Sequence, residues 1–368
     1  MEKIVVSPSG GQDRSYSVLV GASLLDKGAD WVKGLSGNRA FIVGDACMSA
    51  SASRLAQVLK GANWKVERSL LPVSEKTKDY RKIFPLYAEL IKKKMDRQSV
   101  IFALGGGVIG DISGFVAGTY LRGIRWVGVP STLLAQVDSS IGGKTGVNHP
   151  LGKNLIGLFH QPSLVLCDTD LLKSLSERDR VSGFGEMVKC GLTFDKNFYE
   201  FLAEYQTNIV ALESKYLDIA IVGTLRQKAD VVRQDEYERT GLRQLLNFGH
   251  TMGHALETAT EYRRYRHGEA VLWGIRLEMA LSVIRGHLPE ATYQSVANGL
   301  TQLVVPALPK DLSVKKLLSG LKRDKKVKDG KVNFILLQSV GKAIVDNAVE
   351  DSQIAEAWKM VLKGESKK

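Results

Sequence analysis

Cysteine is scarce in this chain of 368 residues: only Cys47, Cys167 and Cys190 occur, odd in number and widely spaced. That usage excludes a disulfide framework and reads as reduced thiols of a cytoplasmic protein. Long apolar runs are missing too. No stretch approaches the roughly 18 apolar residues a spanning helix needs, so no membrane partner is expected. The opening Met1-Glu2-Lys3-Ile4-Val5-Val6 turns polar at Ser7-Pro8-Ser9-Gly10-Gly11, too early for a signal peptide. Internal repeats and low-complexity tracts are also absent.

Aromatics are lacking where a nucleic-acid surface would want them. The densest basic stretch, Lys315 to Lys331, holds Lys322, Arg323, Lys325, Lys326 and Lys328 but meets no aromatic before Phe334. Nucleic acid is therefore not an expected partner. What is present is an excess of 51 Lys and Arg over 39 Asp and Glu, a formal charge of +12. Such an excess equally suits a site that collects small anions. With 44% hydrophobic and 24% charged residues the chain is globular, and its length allows two domains.

Short apolar runs alternate with helical spacing through the first half. Expected strands are Lys3 to Val6, Tyr16 to Val20, Arg39 to Val43, Lys65 to Leu70, Val100 to Leu104, Trp126 to Val129 and Leu164 to Cys167, with helices at Ser51 to Gly61 and Asp79 to Lys94. From about Ser176 long amphipathic segments dominate, among them Tyr216 to Val232 and Gly268 to Ile284. A single late hairpin is expected at Lys326 to Leu337, turned by Asp329-Gly330, and the tail Gly364 to Lys368 should fray. The fold class expected is α/β plus α. A Rossmann-like dinucleotide-binding domain would cover 1–175 and a mainly helical metal- and substrate-binding domain 176–368.

Gly105-Gly106-Gly107-Val108-Ile109-Gly110-Asp111 follows the apolar strand directly and satisfies G-x-G-x-x-G at 105, 107 and 110. Glycines let backbone approach a pyrophosphate, and a helix N-terminus offers oriented N–H groups. Two features depart from the dinucleotide fingerprint. The motif sits on about the fifth strand, and Pro130 and Ser131 stand where a ribose acid is usual. Asp45, ending an earlier strand, is the candidate acid.

Asp138 to Asn154 mixes closely spaced glycines with Lys144 and Lys153, a composition suited to gripping phosphate or carboxylate. Gly143-Lys144-Thr145 echoes the end of a P-loop, but Asp138 occupies the place of its first glycine. A nucleotide triphosphatase is disfavoured. Three of the six histidines lie between 250 and 267, and on a helix Asn247, His250 and His254 would share one face. His250 and His254 are spaced to hold a metal, yet no glutamate follows His250 as H-E-x-x-H requires. Spacing leaves open whether His250 pairs with His254 or His267. Glu186 is the best acid for a third ligand, since it stands in an otherwise apolar setting.

Gly105 to Asp111, Pro130 to Asp138, Gly142 to Asn154, Ser182 to Gly191, Asn247 to Glu257 and His267-Gly268-Glu269 together resemble the 3-dehydroquinate synthases of the sugar phosphate cyclase family. The resemblance runs in order from about Asp45 to Gly341. It implies zinc, or cobalt or another divalent metal, on Glu186, His250 and His267, which makes His254 a substrate contact. It implies NAD at Asp45, Glu75, Lys78, Gly107, Val108, Ile109, Gly110, Asp111, Ser131 and Thr132, with Lys144 and Lys153 shared with substrate. Substrate contacts would be Arg122, Asp138, Lys144, Lys153, Asn154, Lys189, Lys228, Arg243, Asn247 and His254, with a further lysine from Asp324-Lys325-Lys326. Two departures stand out. The acidic run Asp235 to Thr240 is one residue longer than the family's, and Ser131 replaces the first of a threonine pair while keeping the hydroxyl.

The implied reaction turns a phosphorylated seven-carbon keto acid, 3-deoxy-D-arabino-heptulosonate 7-phosphate, into 3-dehydroquinate and phosphate, in the shikimate pathway of aromatic amino acid biosynthesis. It proceeds by transient oxidation with NAD, phosphate elimination, re-reduction and aldol closure. The surplus of cations fits a doubly anionic substrate. Competing readings are a cyclase of a sugar phosphate without a carboxylate, a metal-dependent NAD polyol dehydrogenase, and a non-catalytic anion-binding protein. Lys153-Asn154 and Arg243 to His254 favour the acid substrate. Homodimers are common in the family.

Overall fold

The computed structural model describes residues 1–8, 14–300, 302–309, 312–322, 327–328 and 331–365. The chain divides into two compact units, one made of 1–174 with 228–237, the other of 175–227 with 238–368. The return of 228–237 to the first unit is a crossing that a single boundary near 175 does not describe.

The first unit is built on β1 (Glu2–Val6), β2 (Tyr16–Gly21), β3 (Arg39–Asp45), β4 (Lys65–Leu71), β5 (Val100–Gly105), β6 (Arg125–Pro130), β7 (Lys144–His149), β8 (Gly152–Phe159) and β9 (Leu164–Asp168). All seven expected strands join one sheet of order β1-β2-β9-β6-β5-β3-β4, parallel except where β1 meets β2. The sheet is covered on both faces, so its central strands read as unbroken apolar runs. Alternation still decides which side each residue feeds. Ile42, Phe102, Leu104, Val127 and Val129 pack on one core, where Phe102 meets Trp31 and Trp64, while Phe41, Val43, Ile101 and Ala103 pack on the other. Helices α1 (Gly28–Trp31), α2 (Ser49–Gly61), α3 (Phe84–Lys92) and α4 (Gly107–Thr119) belong to this unit.

Two expectations need correction here. The segment Asp79 to Lys94 is not one helix. Short 3-10 turns cover Glu75–Lys78 and Tyr80–Lys82, and α3 starts only at Phe84. Asp79 accepts a hydrogen bond from Arg81 N–H at 2.8 Å, which holds the chain in a turn, and Pro85 suits a helix start rather than an interior. The lysine-rich stretch, where no strand is expected, forms a hairpin, β7 against β8.

The second unit holds α5 (Glu177–Phe194), α6 (Lys196–Glu204), α7 (Gln206–Val210), α8 (Ser214–Gln234, whose end from Lys228 belongs to the first unit), α9 (His250–Ala259), α10 (His267–Ile284), α11 (Glu290–Gly299), α12 (Val314–Lys322) and α13 (Asp351–Glu365). Its central helix is α10, apolar and buried on nearly every side. The late hairpin is present as β10 (Val327–Lys328) against β11 (Lys331–Val332), with Asp329-Gly330 outside the described residues. It is not single. The apolar run assigned to its second arm forms β12 (Phe334–Ser339), which pairs with β13 (Lys342–Asp346). Lys325, Lys326 and 366–368 also lie outside the described residues, while Gly364 and Glu365 end α13 rather than a loose tail. Among the described residues no helix is long and apolar enough to cross a membrane.

Candidate metal centre and dinucleotide loop

In the second unit three helices are drawn together by missing side chains. A Cβ on Gly268 of α10 would lie 1.8 Å from the Ser182 carbonyl oxygen of α5, and one on Gly274 would lie 1.8 Å from the Gly249 carbonyl oxygen ahead of α9. Only glycine permits backbones this close. Glu186 and Lys189 on α5, His250, His254 and Glu257 on α9, and His267 at the start of α10 are thereby brought into one cluster.

Its geometry centres on one oxygen. Among the described residues Glu186 Oε1 is buried and accepts no hydrogen bond, and it lies 3.5 Å from Nε2 of His250 and 3.5 Å from Nε2 of His267. Zinc–ligand bonds of about 2.0–2.1 Å at tetrahedral angles set ligand atoms about 3.3–3.4 Å apart. The spacing is thus that of ligands sharing a cation, and too long for ordinary hydrogen bonds. The Nδ1–H of His250 donates to the Phe248 carbonyl at 3.3 Å, which frees Nε2 for a metal. One ring nitrogen of His254 lies with those of His250 and His267 inside a group spanning 4.8 Å. The structure therefore brings both sequence pairings, His250 with His254 and His250 with His267, to one point.

The electrostatics favour positive charge there. Burial alone would raise the Glu186 carboxyl, but the Lys189 ammonium, paired with it at 1% exposure on each, and His267 outweigh burial and hold it well below its usual range. Burial pulls the His267 imidazole down, yet Glu186 and Glu257 outweigh it and push it up to about 10. Glu257, whose Oε1 is 3.4 Å from His267 Nδ1, carried no role in the sequence reading. Its place seven residues after His250 and three after His254, on the same helix face, was the available signal.

Asn247 does not share that helix. It ends a 3-10 turn, Leu242–Asn247, that also holds the buried Arg243, because Gly249 at φ +77° breaks the chain before α9 begins.

In the first unit Gly105 ends β5 and Gly107 starts α4. Chain order explains why the motif sits so late. The chain leaves β3 for the edge strand β4, then returns to the other side of β3 as β5. The carboxyl ends of β3 and β5, carrying Asp45 and the glycine loop, therefore flank the topological switch point, where doubly wound sheets bind ligands. Gly106 caps α4 without a side chain, and a Cβ on Gly110 would meet nothing within 4 Å. The first turn of α4 carries Val108, Ile109 and Gly110 and is bare enough for a pyrophosphate, with Asp111 following it. Ser131 N–H donates to the Gly105 carbonyl at 2.9 Å, and a Cβ on Gly106 would touch Thr132 at 3.3 Å, so the two turns abut. Buried Lys78 pairs with Asp111, whose carboxyl burial pushes up while Lys78 opposes. Glu75 accepts from Asn148 Nδ2 at 2.7 Å, and Asp45 from Cys47 N–H at 3.1 Å.

Lys228, on the segment that returns to this unit, donates to the Asp138 carbonyl at 2.6 Å and to its carboxylate. Lys144 opens β7, whereas Lys153 and Asn154 lie by the hairpin turn; Asn154 has φ +53° and its N–H donates to Asn148 Oδ1 at 2.9 Å. At about 3.3 Å per residue the two lysines stand more than about 10 Å apart along the ribbon. Exposed Arg122 follows Leu121 in left-handed backbone, φ +65° and +51°.

Known proteins resemble this chain along most of its length. Residues 68–182 match the family profile described as 3-dehydroquinate synthase N-terminal, and residues 183–327 that described as 3-dehydroquinate synthase C-terminal. The 3-dehydroquinate synthase of Paracoccus denitrificans (strain Pd 1222) is 41% identical over 351 residues, 93% of this chain and 95% of that protein. Among solved structures, ValA, the 2-epi-5-epi-valiolone synthase of Streptomyces hygroscopicus subsp. jinggangensis 5008 with NAD+ and Zn2+ bound, has a TM-score of 0.87 at 28% identity, over 96% of this chain and 99% of that one. A 2-deoxy-scyllo-inosose synthase complexed with carbaglucose-6-phosphate, NAD+ and Co2+ has a TM-score of 0.86 at 26% identity, over 96% and 98%. Identity is thus clearly higher to this 3-dehydroquinate synthase than to these two other synthases, and two consecutive profiles cover 68–327 without a gap. The chain belongs to the 3-dehydroquinate synthase family.

Proposed function

We propose that this chain is an NAD- and zinc-dependent 3-dehydroquinate synthase, converting 3-deoxy-D-arabino-heptulosonate 7-phosphate to 3-dehydroquinate and phosphate. The observation that carries the reading is the orphaned Glu186 oxygen held 3.5 Å from two imidazole nitrogens. Glu186, His250 and His267 would hold the metal, which when bound supplies a Lewis acid beside a substrate hydroxyl and the carbonyl made from it. Gly107 to Asp111, Ser131, Thr132, Asp45, Glu75 and Lys78 would hold NAD, which supplies the hydride acceptor and returns the hydride.

The remaining work falls to this chain's own side chains. Arg122, Lys144, Lys153, Lys189, Lys228 and Arg243 supply cations for a phosphate and a carboxylate. Asp138, Asn154, Asn247 and His254 supply hydrogen-bonding groups to orient hydroxyls. Lys228 is held by Asp138 and Lys189 by Glu186, so two of the cations are fixed before substrate arrives. A cytoplasmic location goes with this reading, supported by three free cysteines, and a homodimer rests on the family alone.

The test is phosphate release from the keto acid phosphate, with and without chelator. Chelator-sensitive release with no net NADH is expected. Release only from a neutral sugar phosphate would reassign the substrate, and steady NADH accumulation would make the chain a dehydrogenase.

A further inference from the structure

Within the apolar α10 stands Glu278, with no exposed surface. A carboxylate taken out of water is costly unless hydrogen bonds replace its hydration. Glu278 directs both oxygens at the start of α9: Oε2 accepts from Gly249 N–H at 2.7 Å and Oε1 from Met252 N–H at 3.1 Å. These donors flank His250, the first residue of α9. A helix start leaves its first N–H groups without partners, and Gly249, as N-cap, has no side chain to offer them. Gly274 makes the reach possible. It lies one turn before Glu278 on the same face of α10, where its missing Cβ admits the Gly249 backbone.

The second imidazole is treated alike. His267 is the first residue of α10, and Arg266 N–H donates to Oε2 of the fully buried Glu269 at 2.7 Å. Arg178 clamps that carboxylate with bonds of 2.7 and 2.6 Å. So each imidazole occupies the start of a helix, and a buried carboxylate stands at each start. A helix N-terminus carries roughly half a positive charge, which disfavours a cation beside it. A carboxylate at the same place opposes that repulsion.

We propose that Glu278 is a positioning residue of the metal centre, fixing the backbone on both sides of His250 and offsetting the dipole of α9. The proposal rests on reading Glu186, His250 and His267 as metal ligands. Its test uses the full chain stripped of metal and titrated with zinc against a chromogenic chelator, beside the absorption spectrum of the cobalt-loaded protein and thermal unfolding of the metal-free form. Glu278→Gln keeps the volume but loses the charge and one acceptor. It should bind zinc about ten- to hundredfold more weakly and shift the cobalt bands, as outer-shell changes do. Glu278→Asp, which retains charge, should fall between. If the parent chain takes up no zinc, the metal reading itself fails. If the parent binds and folded Glu278→Gln matches it in affinity and spectrum, the metal reading stands and this inference is overturned. Should the Gln variant not fold, the Asp variant decides: parent-like affinity and spectrum overturn the proposal, and weakened binding supports it.

Discussion

Glu257 Oε1 lies 3.4 Å from Nδ1 of His267, while Nε2 of the same ring faces Glu186. A metal-bound imidazole is oriented by the partner of its other nitrogen. Glu257→Ala should therefore weaken zinc binding about ten- to hundredfold without changing the far-ultraviolet circular dichroism. Chelator competition reads the affinity, and an unchanged zinc affinity would remove Glu257 from the centre.

Glu186→Ala should abolish turnover and zinc retention together. The carboxylate is also half of a buried pair with Lys189, and breaking such a pair costs about 3–5 kcal/mol. The metal-free variant should therefore unfold at lower temperature than the metal-free parent. A fully active Glu186→Ala protein would exclude Glu186 from the ligand set.

The glycine loop separates ligand space from packing space. A Cβ on Gly105 would lie 2.6 Å from Ile109, so Gly105→Ala should lower thermal stability by about 1–3 kcal/mol. A Cβ on Gly110 meets nothing among the described residues, so Gly110→Val should alter stability by less than about 1 kcal/mol, since glycine and valine are both weak helix formers. Gly110→Val should nonetheless weaken NAD binding in a fluorescence titration. Parent-like affinity would remove this turn from the dinucleotide site.

Asp346 gives a stability signal unconnected with the metal. Burial alone would raise its carboxyl, but the Ala348 N–H, His287 and Arg285 outweigh it and hold it below the ordinary value. A depressed folded value means the stabilisation is fully present above the unfolded value near 3.9 and is lost as pH falls through the folded one. Asp346→Asn should therefore be less stable than the parent in urea at pH 7, with the gap closing toward pH 3. A gap constant with pH would contradict the assignment.

The apolar runs of the sheet strands were legible because each must be buried on both faces, and periodicity survives in any context. Hairpin β7–β8 was not legible, since its strands carry the lysines, asparagines and glycines that elsewhere make loops. Asn247 was placed on the wrong element for a related reason: the break at Gly249 depends on a positive φ that glycine permits but does not compel. Glu278 could be seen as a glutamate among apolar residues, but its partners lie 26 and 29 positions away.

The amino-acid order alone determined the seven strands of the main sheet, the glycine turn after β5, the clustering of histidines and, through motif resemblance, the family. These are properties of local period and composition. Tertiary packing decided that Glu186, over 60 residues from His250 in the chain, offers its bare oxygen to both imidazoles. Convergence of that kind requires helix backbones pressed together at Gly268 and Gly274, a many-body contact that no window along the chain encodes.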